Sequence, residues 1–317
     1  MKSIQAILVL VFTFSLLGCN QSTPKTTIGI IEPLEHTAMD KIVAGFTETL
    51  KGMTTKPINI KVENAQNDAN LQRAIIQKMH DTDYAIIVPI GTGATQMTLA
   101  MVHDKPVVSL AASLSEADRK KLKVCNTVVV HDEIPEEKSI QFIHTVYPTL
   151  TKLTLVHSAA DKVFPEVKST VAVSKKYGIT VTPRMASSLP DLYSITQSLP
   201  KDTQGIFVLK DSLIVSGIAT LSKEASKRQI PLITSDQGSV QDGAAFALGV
   251  HESDIGSEGG KLVAAILNGK SPCDLPIVEM KKLTVFINQK TLQQESQMIS
   301  SINHAAKKLN YQTEIIQ

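Results

Sequence analysis

The chain has 317 residues, a formal net charge of +2 and 43% apolar residues. That length exceeds one comfortable core and points to two lobes of ordinary domain size. The near-neutral charge argues against a nucleic-acid surface: the nearest thing to a basic run, Arg119-Lys120-Lys121 with Lys123, reads as a solvated helix face.

The stretch Met1 to Cys19 carries one Lys, an apolar core from Ile4 to Leu17, and the ending Leu16-Leu17-Gly18-Cys19. The core is too short to span a bilayer as a mature helix and fits a secretory signal, so 1–18 is expected to be a signal peptide. The ending resembles a bacterial lipobox, which implies cleavage before Cys19 and lipid on its thiol; the alternative is ordinary cleavage with Cys19 incidental. Residues 19–25 are polar with one proline, as a lipidated tether should be. The expectation is an extracytoplasmic protein held to a membrane by that lipid. Cys125 and Cys273 remain. They can pair outside the cytoplasm, but the reading favoured is two separate buried thiols, since sequence supplies no distance between them.

From Thr26 the chain alternates. Strands are predicted at 26–31, 58–62, 84–90, 107–110 and 124–130, with helices at 38–51, 69–80, 94–102 and 115–122 between them. Met39, Ile42, Val43, Phe46 and Leu50 share one face of the first helix; Leu71, Ile75, Ile76 and Met79 point inward from the second. His131 to Pro135 breaks the pattern. A second set follows, with strands at 153–157, 179–181, 205–209, 231–234 and 244–250, and helices at 136–146, 164–177, 192–199, 214–228 and from Val240. The stretch 251–260 is polar and Gly-rich and leads into a helix expected only from Lys261 to Leu267. Residues 277–287 read as extended and 291–309 as largely helical. Strict alternation argues for parallel sheets covered on both faces. The fold expected is α/β: two similar doubly wound parallel-sheet lobes joined by a multi-crossing hinge, with crossings near His131, Glu252 and Lys281. The boundaries expected are 26–130 plus about 254–282 for the N-lobe and 131–253 plus about 283–317 for the C-lobe.

Between such lobes lies a cleft, and ligands sit at the carboxyl ends of the strands. Gly91-Thr92-Gly93 follows the third strand. It fails as a dinucleotide fingerprint: Gln96 stands at the third glycine position, the turn does not follow the first strand, and no acid ends the next one. Gly-x-Ser-x-Gly, a phosphate loop, and His-x-x-x-His or Cys-x-x-Cys spacings are also missing, so no catalytic residue, cofactor or metal is expected. What remains is a hydroxyl-rich turn, Thr92 and Thr95, at a helix start, suited to a carboxylate, or else simply a capped turn. Lys210-Asp211-Ser212 and Ser235-Asp236-Gln237 end strands of the second lobe. An ammonium held by Asp211 or Asp236, with a carboxylate at Thr92 to Thr95, would clamp an amino acid; each aspartate can instead cap a helix.

The order of these motifs resembles the ABC transporter substrate-binding proteins of the tryptophan/tyrosine-type group. The matching residues are Ile28-Gly29-Ile30, Glu35 to Asp40, Asn64 to Asp68, Thr92 to Gln96, and Thr234 to Val240 with Gly243-Ala244. The resemblance covers Thr26 to about Asn288. It implies the type I periplasmic-binding fold, capture of a small molecule such as an amino acid, and delivery to an ABC permease and ATPase, with no chemistry of its own. It implies pocket segments at Glu35, His36, Thr92, Gly93, Ala94, Thr95, Gln96, Ala112, Ser113, Ser158, Asp161, Asp211, Ser212, Asp236 and Gln237. Ser113-Leu114-Ser115 stands where the family has Asp-Pro, and Lys210-Asp211 where it has Thr-Asp. The chain has no Trp, so the usual stacking surface for an aromatic ligand is thin. A runner-up role is a ligand-sensing subunit of the same fold feeding a signalling partner.

Overall fold

The computed structural model describes residues 26–114, 126–160, 162–293 and 296–317. The signal peptide, tether, Cys19, Cys125, Asp161 and the helix expected at 115–122 lie outside the described residues. From Thr26 the chain runs β1 (Thr26–Glu32), α1 (Thr37–Met53), β2 (Ile58–Asn64), α2 (Ala69–Asp81), β3 (Tyr84–Pro89), α3 (Thr92–Met101), β4 (Val107–Leu110) and β5 (Thr127–His131). Next come α4 (Glu136–Val146), β6 (Lys152–Ser158), α5 (Val163–Ser174), β7 (Thr180–Ala186), α6 (Leu189–Gln197), β8 (Ile206–Val208), α7 (Ser212–Ser216), α8 (Ile218–Arg228), β9 (Leu232–Thr234), α9 (Gln237–Gln241) and β10 (Phe246–Gly249). The chain closes with α10 (Glu252–Leu267), β11 (Val278–Glu279), β12 (Thr284–Asn288), α11 (Ser296–Lys308) and β13 (Gln312–Ile316).

Two sheets result. The first has the order β11-β5-β4-β3-β1-β2 and its ladders are parallel. The second has the order β13-β12-β10-β9-β8-β6-β7, parallel except where β12 meets β10. The inner strands are near-continuous apolar runs because helices cover both faces, whereas the edge strands β2, β7 and β13 are partly exposed. Segments 132–135, 250–251 and 280–283 carry the chain between the sheets, so the carboxyl ends of both face a common cleft.

Several expectations need correction. The helix expected only from Lys261 starts earlier; α10 is continuous from Glu252 through the Gly-rich stretch. Its glycines are there for close approach to α1 and β4. A Cβ on Gly256 would stand 1.9 Å from the Ile42 carbonyl oxygen, and one on Gly259 would stand 2.4 Å from Leu110. Leu71 is exposed and Gln72 is buried in its place, donating to Met97 Sδ at 3.5 Å. The helix expected over 214–228 breaks at Gly217, where a Cβ would lie 2.4 Å from Leu192 of α6. α9 begins before Val240 because Asp236 caps it, accepting the Ser239 N–H at 2.7 Å. β7 reaches Ala186 through full pairing with β6. β13, which the sequence reading did not foresee, adds to β12 in parallel. Cys273 is disulfide-bonded rather than a separate thiol.

Candidate functional site

A cavity of about 270 Å³ lies between the lobes at the strand ends. The first lobe supplies the turn Gly91–Ala94. Gly91 has φ +86°, and a Cβ on Gly91 or Gly93 would meet nothing within 4 Å, so the backbone at the start of α3 is open. Free N–H groups at such a helix start favour an anion. The Thr92 hydroxyl accepts the Ser113 N–H at 2.9 Å, which ties the turn to the segment after β4. Ala111, in that segment, lines the cavity at φ +51°, a left-handed conformation that alanine rarely adopts. Asn67, also left-handed, and Gln72 complete the polar part of this wall.

The second lobe supplies Ser158, Asp211, Ser212 and Asp236. Asp211 stands at the N-cap position of α7 but does not cap it; its Oδ2 accepts the Ser158 N–H at 2.5 Å. Asp236 does cap α9, and its second oxygen accepts the Ser239 hydroxyl at 2.7 Å. Met39, Ile42, Leu213, Val215 and Ile255 give the cavity aliphatic walls.

The cavity floor is charged. Lys210 Nζ lies 2.8 Å from Asp132 Oδ2, with side chains only 16% and 8% exposed. Burial pushes the Asp132 carboxyl up, but Lys210 and Lys162 outweigh it and hold the group below its ordinary value. Burial likewise pushes Lys210 down, and Asp132, Glu252 and Asp236 outweigh it. Glu252 opens α10, and its Oε1 accepts the Gln237 N–H of the other lobe at 2.9 Å. Its Oε2 is buried without a hydrogen-bond partner among the described residues. Burial, with Asp236 adding to it, raises this carboxyl to about 7.

The lobes also touch beside the cavity. A Cβ on Gly238 of α9 would stand 2.8 Å from the Ala38 nitrogen of α1. His36 accepts the Ala38 N–H through Nδ1, and its Nε2 lies 3.5 Å from Asp242 of the second lobe.

Of the residues expected in the pocket, His36, Thr92, Gly93, Ala94, Ser158, Asp211, Ser212 and Asp236 line this cavity. Gln96 and Ser113 line an adjoining space of about 870 Å³ that shares Asp132, Lys162 and Lys210 with it. Glu35 lines a separate recess of about 370 Å³ beside His36. Ala112 is buried without lining any of these. Thr95 is fully buried, its hydroxyl 2.6 Å from Ser109 Oγ and donating to the Gly91 carbonyl at 2.8 Å. Gln237 turns its amide to Glu314 at 2.8 Å. Sequence reasoning missed Asp132, Lys162 and Glu252 as wall residues. The available signal was position: Asp132 and Glu252 flank two of the crossings that had been identified.

A family model described as ABC transporter substrate binding protein matches residues 27–309. An uncharacterised protein of Rickettsia prowazekii is 40% identical over 264 residues, which cover 83% of this chain and 83% of the relative. A tyrosine-binding protein of Clostridioides difficile is 27% identical over 287 residues, covering 86% and 81%. Among solved structures, an ABC domain from Streptococcus pneumoniae in complex with L-Trp superposes with a TM-score of 0.79 at 21% identity, covering 88% of this chain and 98% of that one. That likeness is one of fold, and the fold is the two-lobed type I periplasmic-binding arrangement.

Proposed function

Because the chain belongs to the ABC transporter substrate-binding protein family, we propose that it is an extracytoplasmic receptor that captures an amino acid in the interlobe cleft and delivers it to a membrane permease driven by an ATPase. The observation that carries this reading is the cavity itself. One lobe offers an open helix start suited to a carboxylate, and the other offers buried carboxylates suited to an ammonium. At about 270 Å³ it accommodates one small molecule rather than a peptide. The name of the Clostridioides relative and the ligand of the Streptococcus structure support an amino acid.

The role is capture, not turnover. Three short crossings let the lobes rock, and ligand contacts on both sides favour the closed form. The anchor proposed is lipid on Cys19. Radioactive palmitate should label the protein in its native bacterium, and Cys19→Ser should abolish the label; a labelled variant refutes the anchor.

The receptor reading is tested by thermal shift of the mature protein against amino acids, short peptides, nucleosides and sugars. A ligand at 100 times its Kd stabilises by about 2.7 kcal/mol. No shift anywhere in the panel refutes a solute receptor.

A further inference from the structure

We propose that the ligand of the interlobe cavity is an amino acid with a cationic side chain, whose extra charge is taken by Glu252 and its neighbouring carboxylates. This rests on the receptor reading above and adds the ligand class to it.

The first observation is a charge imbalance. Asp132, Asp211, Asp236 and Glu252 all line the cavity, and none is more than 5% exposed. Among the described residues of its wall, the lysines are Lys162 and Lys210; Lys210 is already committed to Asp132, and His36 faces Asp242. The other bonds to these carboxylates come from neutral donors: the Ser158 N–H, the Ser239 N–H and hydroxyl, and the Gln237 N–H. Such donors satisfy oxygens but do not cancel charge. An amino acid with an uncharged side chain adds one carboxylate and one ammonium, so it leaves the imbalance where it was. A second cation reduces it.

The second observation is independent of that count. Glu252 Oε2 is buried, has no hydrogen-bond partner among the described residues and belongs to a residue of the cavity wall. Raised to about 7, this carboxyl is mostly ionised at pH 7.5; a buried carboxylate oxygen without a donor is unfavourable, and a guanidinium or ammonium from the ligand would satisfy it and favour the ionised form. Lys41, whose charge is felt at this carboxylate, is not among the residues that line the cavity.

The walls agree with this ligand class. Among the described residues, no Phe, Tyr or Trp side chain lines the cavity, so an indole or phenol ring has no partner to stack on. Met39, Ile42, Leu213, Val215 and Ile255 offer aliphatic surface instead, which suits the methylene stem of a lysine, ornithine or arginine. The α-carboxylate then meets the start of α3.

The experiment is titration calorimetry on the full mature protein, purified without refolding, at pH 7.5. L-arginine is compared with its neutral isostere citrulline, L-lysine with norleucine, and tryptophan, tyrosine and leucine complete the set. A cationic ligand should bind at least about tenfold more tightly than its isostere. Glu252→Gln keeps the size and the acceptor for Gln237, and should shrink that ratio several-fold, whereas Glu252→Asp should retain most of it. A ratio unchanged by Glu252→Gln overturns the role given to Glu252. Binding of tryptophan, tyrosine or leucine without arginine or lysine overturns the cationic class and leaves the receptor reading standing. Binding of no amino acid overturns both.

Discussion

Gly238→Ala separates the closing of the lobes from their stability. The added Cβ would stand 2.8 Å from the Ala38 nitrogen, 2.8 Å from His36 Cε1 and 3.2 Å from the Ala38 Cβ. Ordinary carbon contacts lie at about 3.5–4.0 Å, so α9 and the start of α1 must part by several tenths of an ångström or more. Two of these contacts involve the N-terminal end of α1, which cannot rotate aside as a long side chain can. Overpacking of this kind costs about 1–3 kcal/mol. Here the clash arises only when the lobes meet, because Gly238 and Ala38 belong to different lobes. Within its own helix, alanine is about 0.5–1 kcal/mol better than glycine. The expected result is therefore an unfolding temperature that holds or rises while ligand affinity falls by about 5- to 150-fold. Calorimetric titration with the ligand found in the panel reads the affinity. Small-angle scattering gives a readout without ligand, as the variant should have a larger radius of gyration than the parent. Unchanged affinity together with an unchanged radius would refute the idea that this contact belongs to the liganded, closed form.

Gly256→Ala should lower the unfolding free energy by about 1–3 kcal/mol, since its Cβ would fall 1.9 Å from the Ile42 carbonyl oxygen and 2.7 Å from the Phe46 nitrogen, both backbone atoms. Gly52→Ala, in α1 where a Cβ meets nothing within 4 Å, should instead stabilise by about 0.5–1 kcal/mol in the same denaturant titration; equal effects from the two would remove the close-approach argument. Asp132→Asn leaves Lys210 without its partner and should cost about 3–5 kcal/mol, with Lys210→Met in the same chain restoring much of the loss; a single-variant cost below about 1 kcal/mol would contradict the pairing. With Asp132 held below its ordinary value, that pair's contribution is present above the unfolded carboxyl value of about 4 and is lost only below it. Glu252 has the opposite sign. Raised to about 7, it keeps a proton in the fold that the unfolded chain has released, so ligand-free stability should fall as pH rises from about 4.5 to 7. Glu166, raised to about 7 by burial and by Glu136, Asp132 and Glu133 against the opposing pull of Lys162, contributes in the same direction. Chemical denaturation across that range should show the slope reduced in Glu252→Gln and reduced further on adding Glu166→Gln; an unaltered slope in both would refute the assignment.

Much of this architecture was legible because strand and helix alternate and the inner strands are short apolar runs. β1, β3 and β4 need no long-range information to be recognised: their residues are apolar on both faces and are bounded by Gly, Pro or polar turns. The failures have a common cause. Gly256, Gly259 and Gly260 fall outside the helix expected from sequence because glycine weakens an isolated helix. They are helical because α1 and Leu110 crowd in where a side chain would stand, which no local window reveals. β13 failed for the converse reason. Gln312–Ile316 has weak alternation and little burial, and it is a strand because β12 lies beside it with open backbone groups.

The site divides along the same line. Which turns reach the cleft follows from strand order, and Thr92, Asp211 and Asp236 all arrive there. What each side chain does on arrival is set by neighbours remote in sequence. Thr95 faces Ser109 inside the lobe rather than the cavity, and Gln237 turns to Glu314. Lys210 meets Asp132 across 78 positions, and that pairing turns a lone cation beside the pocket into a fixed part of its floor. Glu252 then acquires its meaning from what is left over. With Lys210 committed and Asp236 occupied by Ser239, its second oxygen is a cavity-wall acceptor that no described residue supplies with a donor. An acceptor of that kind, buried between two lobes that must open and close, is better completed by something that arrives with the solute than by a residue that would have to leave each time the cleft opens.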